Sequence, residues 1–124
     1  MHLVLDPNNG LPLYLQLVDG VREAVAAGAL VDGEELPSVR ALGAELRVNY
    51  HTVAKAYRRL EDEGVLRRRR GGPYQVAPQA GAGVADELLA ADADALLRRA
   101  DALGVSLDTV IDLLRKRSEA EDRR

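Results

Sequence analysis

Apolar residues recur four apart through LPLYLQLVDGVREAVAAGAL, at Leu13, Leu17, Val21 and Val25. That spacing predicts an amphipathic helix with one face turned to a core. Pro12 sits near its start, where a missing N–H costs little, and Gly28 marks its end. Ahead of it, residues 2–5, beginning at His2, read as a short extended piece before the turn-like DPNNG. Behind it, VDGEELP reads as an acidic turn. A second helix opens at Ser38, a good N-cap after Pro37, with Val39, Leu42 and Leu46 on its buried side. RVN is a tight turn. Asn49 then caps a third helix whose inward stripe is Val53, Ala56, Tyr57 and Leu60, and Gly64 terminates it.

The period then changes. VLRRRRGGPYQVAP predicts a hairpin, with strands at 65–69 and 74–77 around Gly71, Gly72 and Pro73. Three helices followed by a hairpin make a winged helix-turn-helix, assigned to residues 1–78. QAGAG, at 79–83, is small and reads as a flexible linker. Two further helices fill residues 84–117, and the tail at 118–124 is expected to fray. The fold class is mainly α with a small β-hairpin, a winged helix-turn-helix followed by a C-terminal two-helix element. The second of these helices starts at the cap Ser106 and aligns Leu107, Val110, Ile111 and Leu114. The apolar faces of this pair exceed what two isolated helices can hide. A second subunit is the simplest cover. The expected dimerisation residues are Val84, Leu88, Leu96, Leu103, Leu107, Val110, Ile111 and Leu114. LGVSLDTVIDLLRKR imitates another helix-turn-helix, but its surroundings are net acidic and its helix lacks early basic residues.

Composition narrows the function. The 124 residues suit one compact domain or a small domain with an appendage. Cysteine is absent, and the two histidines, His2 and His51, lie far apart. No disulfide framework, thiolate nucleophile or metal site is therefore expected, and no cofactor. No apolar run approaches the ~18 residues of a membrane span, and the N-terminus lacks the regions of a secretory signal. A soluble, cytoplasmic protein is the expectation. The net charge of -3 conceals a strong segregation. Residues 1–36 carry one basic and six acidic side chains, residues 37–79 nine basic and four acidic, and residues 80–124 seven basic and ten acidic. A polyanion meets the local positive face, not the total.

A helix that reads DNA needs polar or basic side chains at its exposed N-terminal end. The third helix offers Asn49, Tyr50, His51, Thr52 and Lys55 there, with Ala54 between them. Asn and His donate or accept, the Thr methyl can touch a thymine methyl, and Lys55 can reach a guanine edge or a phosphate. Arg58 and Arg59 lie a turn further on, better placed for backbone phosphate. Ser38 and Arg40 open the preceding helix, whose N-terminal amides can hold a phosphate. The hairpin brings Arg67, Arg68, Arg69 and Arg70 beside Gly71 and Gly72. Strand alternation turns two of these arginines toward DNA, and Arg68 and Arg70 are taken as that pair.

LPSVRALGAELRVNYHTVAKAYRRLEDEGVLRRRRGG resembles the GntR family of bacterial transcription regulators, and the likeness covers roughly residues 11–78. The asparagine-containing turn and TVAKAY are most similar to the YtrA subfamily, whose short chains carry only a pair of helices after the winged domain. The resemblance implies a homodimer that binds double-stranded DNA at an inverted repeat, and usually represses. It implies phosphate contacts at Ser38 and Arg40, and readout from Tyr50, His51 and Thr52. It leaves open whether a small-molecule effector binds or the protein responds to its own abundance. Ala54 stands where other subfamilies have arginine. Pro73 replaces the second wing glycine, and Gln75 replaces an aromatic.

Two other classes remain. A winged helix used for protein–protein contact predicts weak, unselective DNA affinity, and Pro73 and Ala54 favour it. An enzyme is disfavoured, because no carboxylate pair, nucleophile–base pair or Gly-rich phosphate loop is visible. Taken alone, the run of four arginines could equally be solvated charge on an edge strand.

Overall fold

A computed structural model of the protein describes residues 3–122. The chain runs α1 (Leu13–Ala26), α2 (Val39–Leu46), α3 (Tyr50–Asp62), β1 (Leu66–Arg67), β2 (Gln75–Val76), α4 (Ala80–Ala102) and α5 (Leu107–Asp122). Contacts divide it into two compact units, residues 1–86 and 87–124. His2, expected in the extended start, lies outside the described residues.

The core of the first unit is the face that the apolar spacing marked. Leu17, Val21 and Val25 of α1 are buried, together with Val18. Val53, Ala56, Tyr57 and Leu60 of α3 are buried, and α3 packs against both α1 and α2. On α2, Leu42 and Gly43 are buried, while Val39 and Leu46 are half-covered. Both expected caps form. The Ser38 hydroxyl accepts from the Ala41 amide at 3.1 Å, and the Asn49 carboxamide oxygen accepts from the His51 amide at 2.9 Å. Each satisfies an amide that the helix start leaves without a partner. Ahead of α1, the Gln16 carboxamide accepts from the Asp6 amide and donates to the carbonyls of Asp6 and Leu11, all at 2.8–2.9 Å. That clamp fixes the turn from which α1 starts.

The hairpin is shorter than its sequence suggests, two residues per strand, paired Leu66 with Val76 and Arg67 with Gln75. It has a partner the sequence did not reveal. Segment 33–36, expected to be only an acidic turn, pairs with the free edge of β2. The Gly33 amide donates to Val76, the Val76 amide to Glu34 and the Leu36 amide to Tyr74, at 2.8–3.0 Å. Glu35 bridges to Gln75 in antiparallel register. Buried Leu36 anchors this segment. The two glutamates disguised it, because a three-contact edge is too short to show alternation.

The expected linker is a correction. Residues 80–83 form the first turn of α4, and Gln79 takes φ 62° with its amide donating to the Asp32 carboxylate at 2.9 Å. A Cβ on Gly81 would stand 2.8 Å from the Val25 carbonyl oxygen. Small side chains here permit close backbone approach, and alanine favours helix. Ala80 and Val84 are buried. Val84 therefore belongs to the core of the first unit and is not free for a dimer interface. The first compact unit correspondingly extends to residue 86, past the expected winged helix-turn-helix at 1–78. The tail is also corrected, since residues 118–122 continue α5 and only Arg123 and Arg124 lie outside the described residues.

The second unit is the rest of α4 and α5. The Ser106 hydroxyl caps α5, accepting from the Thr109 amide at 3.3 Å. Ala100 and Val110 are buried, and Leu88, Leu96 and Ile111 are half-covered. Leu89, Leu97, Leu103, Val105, Leu107, Leu113 and Leu114 are exposed.

Gly43 sets the distance between α2 and the start of α3. A Cβ there would lie 3.0 Å from the Val48 carbonyl oxygen and 3.2 Å from the Tyr50 Cα, both backbone atoms that cannot rotate away. Gly43→Ala is expected to cost about 1–3 kcal/mol, read as a Tm several degrees lower. Gly83→Ala, whose Cβ meets open space inside α4, is expected to hold or raise Tm. Equal Tm for both variants would show that the crossing is not tight.

Candidate nucleic-acid interface

The first unit assembles α2, a three-residue turn and α3 into a helix-turn-helix. Arg47 makes the turn possible by taking the left-handed conformation at φ 58°, with its amide bonded back to α2. A residue with a Cβ rarely adopts this conformation. Neither the apolar spacing nor the capping pattern pointed to Arg47. It lies with Arg40, Asn49 and Tyr50 around a surface recess at the mouth of the turn. Two arginines thus border a recess at the capped start of α3, where backbone amides and the helix dipole favour an anion.

Tyr57 locks the start of α2 to α3. Its ring is fully buried, and its hydroxyl donates to the Pro37 carbonyl at 2.9 Å, one residue before the Ser38 cap. Burial first, then the nearby Glu45 and Tyr74, pushes this phenol far above the ordinary tyrosine range, so it remains a donor. The Tyr74 ring meets it edge-on at 5.0 Å. Burial also raises the Tyr74 phenol, with Arg68 opposing. Arg68 in turn lies over the Tyr74 ring at 4.6 Å.

The exposed side of α3 presents the side chains expected of it. Tyr50 and His51 stand side by side, ring centres 4.2 Å apart, and the Arg40 guanidinium lies 4.4 Å over the Tyr50 ring. This joins the first turn of α2 to the first turn of α3 in one row of planar groups. Lys55 is exposed and Thr52 and Ala54 are half-covered. Arg58 and Arg59 are exposed as well, but Arg59 is engaged: Nε donates to the Glu63 carboxylate at 3.2 Å, and Arg22 binds the same carboxylate at 2.8 Å. An exposed pair four residues apart contributes only about 0.3–0.5 kcal/mol. A phosphate therefore competes easily for Arg59.

Arg67, Arg68, Arg69 and Arg70 are all exposed. Strand alternation does not divide them, because the ladder ends at Arg67 and the other three lie in the connection to β2. The Gly72 amide donates to the Arg69 carbonyl at 2.8 Å, and Gly71 takes φ 77°. Positive φ at the third turn position calls for glycine, so Gly71 shapes the tip whatever it touches. Arg67, Arg68 and Arg69 line a basic recess with Glu35, Gly72, Pro73 and Gln75. Arg69 and Arg70 thus lie in the turn at the wing tip, while Arg68 lies over the Tyr74 ring.

Comparison with known proteins bears on this arrangement. The family model described as bacterial regulatory proteins, gntR family, matches residues 13–76. Over 71 residues the chain is 39% identical to the HTH-type transcriptional repressor YtrA of Bacillus subtilis, an alignment covering 56% of this chain and 55% of that protein. The chain spans about half the length of the curated relatives it matches. Among solved structures, a transcriptional regulator from Oenococcus oeni is similar at 29% identity and TM-score 0.75, covering 94% of this chain and 95% of that one. YtrA from Sulfolobus acidocaldarius, a GntR-family transcription factor, is similar at 30% identity and TM-score 0.59, covering 95% and 97%.

Arg47→Gly tests the strained turn. Relief of left-handed strain exceeds the entropy glycine adds to the unfolded chain. The variant is expected to gain up to about 1 kcal/mol in thermal or urea unfolding. A loss of stability would mean that the Arg47 side chain does more for the fold than its backbone costs.

Proposed function

The chain belongs to the GntR family of bacterial regulatory proteins, and from that premise we propose that it is a sequence-specific DNA-binding transcription regulator, a repressor acting as a homodimer. The observation that carries this reading is the start of α3. His51 and Lys55 are exposed there beside the half-covered Tyr50, and the Tyr57–Pro37 bond holds the start of α2 against the same helix. Each subunit lays the first turns of α3 in the major groove of one half-site. Asn49, Tyr50, His51, Thr52 and Lys55 face base edges. Ser38 and Arg40, with Arg58 and Arg59, meet phosphates. The wing adds Arg68, Arg70 and the Gly71–Gly72 tip. Two-fold symmetry requires an inverted repeat with half-sites about 10 bp apart or a multiple of that. A cytoplasmic location accompanies this function.

The second unit supplies the dimer. Leu103, Leu107 and Leu114 are exposed on a unit of only two helices. Apolar surface of that kind marks an interaction site, and a second copy is the occupant this reading requires. Leu88, Leu96 and Ile111 contribute from half-covered positions, and Val110 is buried on the same helix pair. An effector, if one acts, meets the protein at this element. The alternative, a winged helix for protein contact, is favoured by Ala54 and Pro73 and predicts DNA affinity that is weak and unselective.

Selection of binding sites from a random DNA library, followed by affinity at two salt concentrations, tests the reading. A single inverted-repeat motif is expected, with affinity falling about 10³-fold or more between 50 and 200 mM salt. Arg40→Ala is expected to weaken every site alike, and Lys55→Ala to change the preferred bases. A uniform loss for both would contradict this division of labour, and the absence of any selected motif would support the protein-contact alternative. Separately, Leu107→Asp with Leu114→Asp is expected to yield monomers in sedimentation while the winged unit keeps its Tm. An unchanged mass would remove the second unit as the dimer interface.

A further inference from the structure

Lys55 is the cation of α3 best placed to touch bases, and its ammonium does not point free into solvent. It lies 3.9 Å above the centre of the Tyr14 ring. Tyr14 is the second residue of α1, outside the helix-turn-helix, and it is half-covered. Leu13, Tyr14, His51, Thr52 and Lys55 line one open recess of about 390 Å³. α1 is held in place at this end by the Gln16 clamp on the preceding turn. The half-covered ring forms one wall of that recess beneath the ammonium.

Among the described residues Lys55 has no carboxylate partner, unlike Arg59 and Arg22, which share Glu63. The difference matters for recognition. A lysine side chain carries about 2 kcal/mol of rotamer entropy, and a free ammonium is a strongly hydrated point charge with no preferred direction. A carboxylate partner would hold it but would also neutralise it, and that pair would have to break on binding. A ring face holds the ammonium without neutralising it.

We propose that Tyr14 is a specificity-determining positioning residue, whose ring presents the Lys55 ammonium to DNA at the edge of the recognition helix. This rests on the DNA-binding reading above. Tyr14 acts through Lys55 and need not touch DNA itself. Sequence discrimination therefore depends on a residue of α1, although α1 lies outside the bihelical motif.

The test uses the full chain as Tyr14→Phe, Tyr14→Leu, Lys55→Ala and the double variant Tyr14→Leu with Lys55→Ala. Two readouts are taken. Without DNA, the Lys55 ε-methylene protons should be shifted upfield by the ring in the wild type and in Tyr14→Phe, and lose that shift in Tyr14→Leu. With DNA, the preferred bases are read by selection from a random library, alongside Tm. The expected result is that Tyr14→Leu reduces discrimination roughly two- to fivefold, the range of one exposed cation–π contact. It should do so at the same base positions as Lys55→Ala, with no further change in the double variant. Tyr14→Phe should keep the wild-type preference. The proposal is overturned if Tyr14→Leu leaves the preference intact, or if its effect adds fully to that of Lys55→Ala. A uniform loss in Tyr14→Phe also overturns it, because the hydroxyl then contacts phosphate directly. If the wild type selects no motif while the upfield shift is present, the DNA-binding reading itself has failed and the proposed role falls with it.

Discussion

The Tyr57 hydroxyl reaches the Pro37 carbonyl from the middle of α3, and every other part of the candidate interface is placed relative to that bond. Pro37 precedes the Ser38 cap, so the bond fixes where α2 begins. The ring is wholly buried and meets Tyr74 edge-on, so the same side chain also fixes where the hairpin sits against α3. A buried phenol without a partner would cost about 1–3 kcal/mol. The arrangement is thus held by a penalty for misplacement as much as by the bond. Burial keeps the proton on the oxygen. The core around it is aliphatic, and among the described residues no charged side chain is buried. The polar chemistry is left for the surface.

That surface is organised by aromatic rings more than by ion pairs. Arg40 lies on Tyr50, Lys55 on Tyr14 and Arg68 on Tyr74, one cation each from α2, α3 and the hairpin. Cations held this way keep their charge for a polyanion. The exception, Arg59, is tied to Glu63 together with Arg22, and this joins α1 to the far end of α3. The four tyrosines are the only aromatic residues apart from the histidines, and Tyr14, Tyr50, Tyr57 and Tyr74 all take part in these contacts.

Much of this was legible in the sequence, for identifiable reasons. The buried stripes of α1 and α3 repeat often enough to declare a helical period, and Ser38 and Asn49 occupy cap positions whose chemistry is local. What was not legible depends on long-range contact. Segment 33–36 becomes a strand edge only because β2 lies beside it, and nothing in GEEL announces a partner forty residues away. QAGAG has the composition of a linker, yet Gly81 is small so that α4 can approach the Val25 carbonyl. Val84 has the right periodicity for a dimer face but is consumed by the first unit. The strained φ of Arg47 and the platform role of Tyr14 are likewise products of packing. The side chains expected to meet DNA are exposed or half-covered on α2, α3 and the wing. The division of the four arginines failed because the ladder stops at Arg67.

The central claim is that two copies of α3 enter the major groove with their first turns. Guanine methylation interference on a selected binding site measures this most directly, because N7 methylation blocks the major-groove edge alone. The account predicts two symmetric patches of interference, about 10 bp or a multiple of that apart. Interference confined to one asymmetric patch, or binding indifferent to N7 methylation, would contradict it.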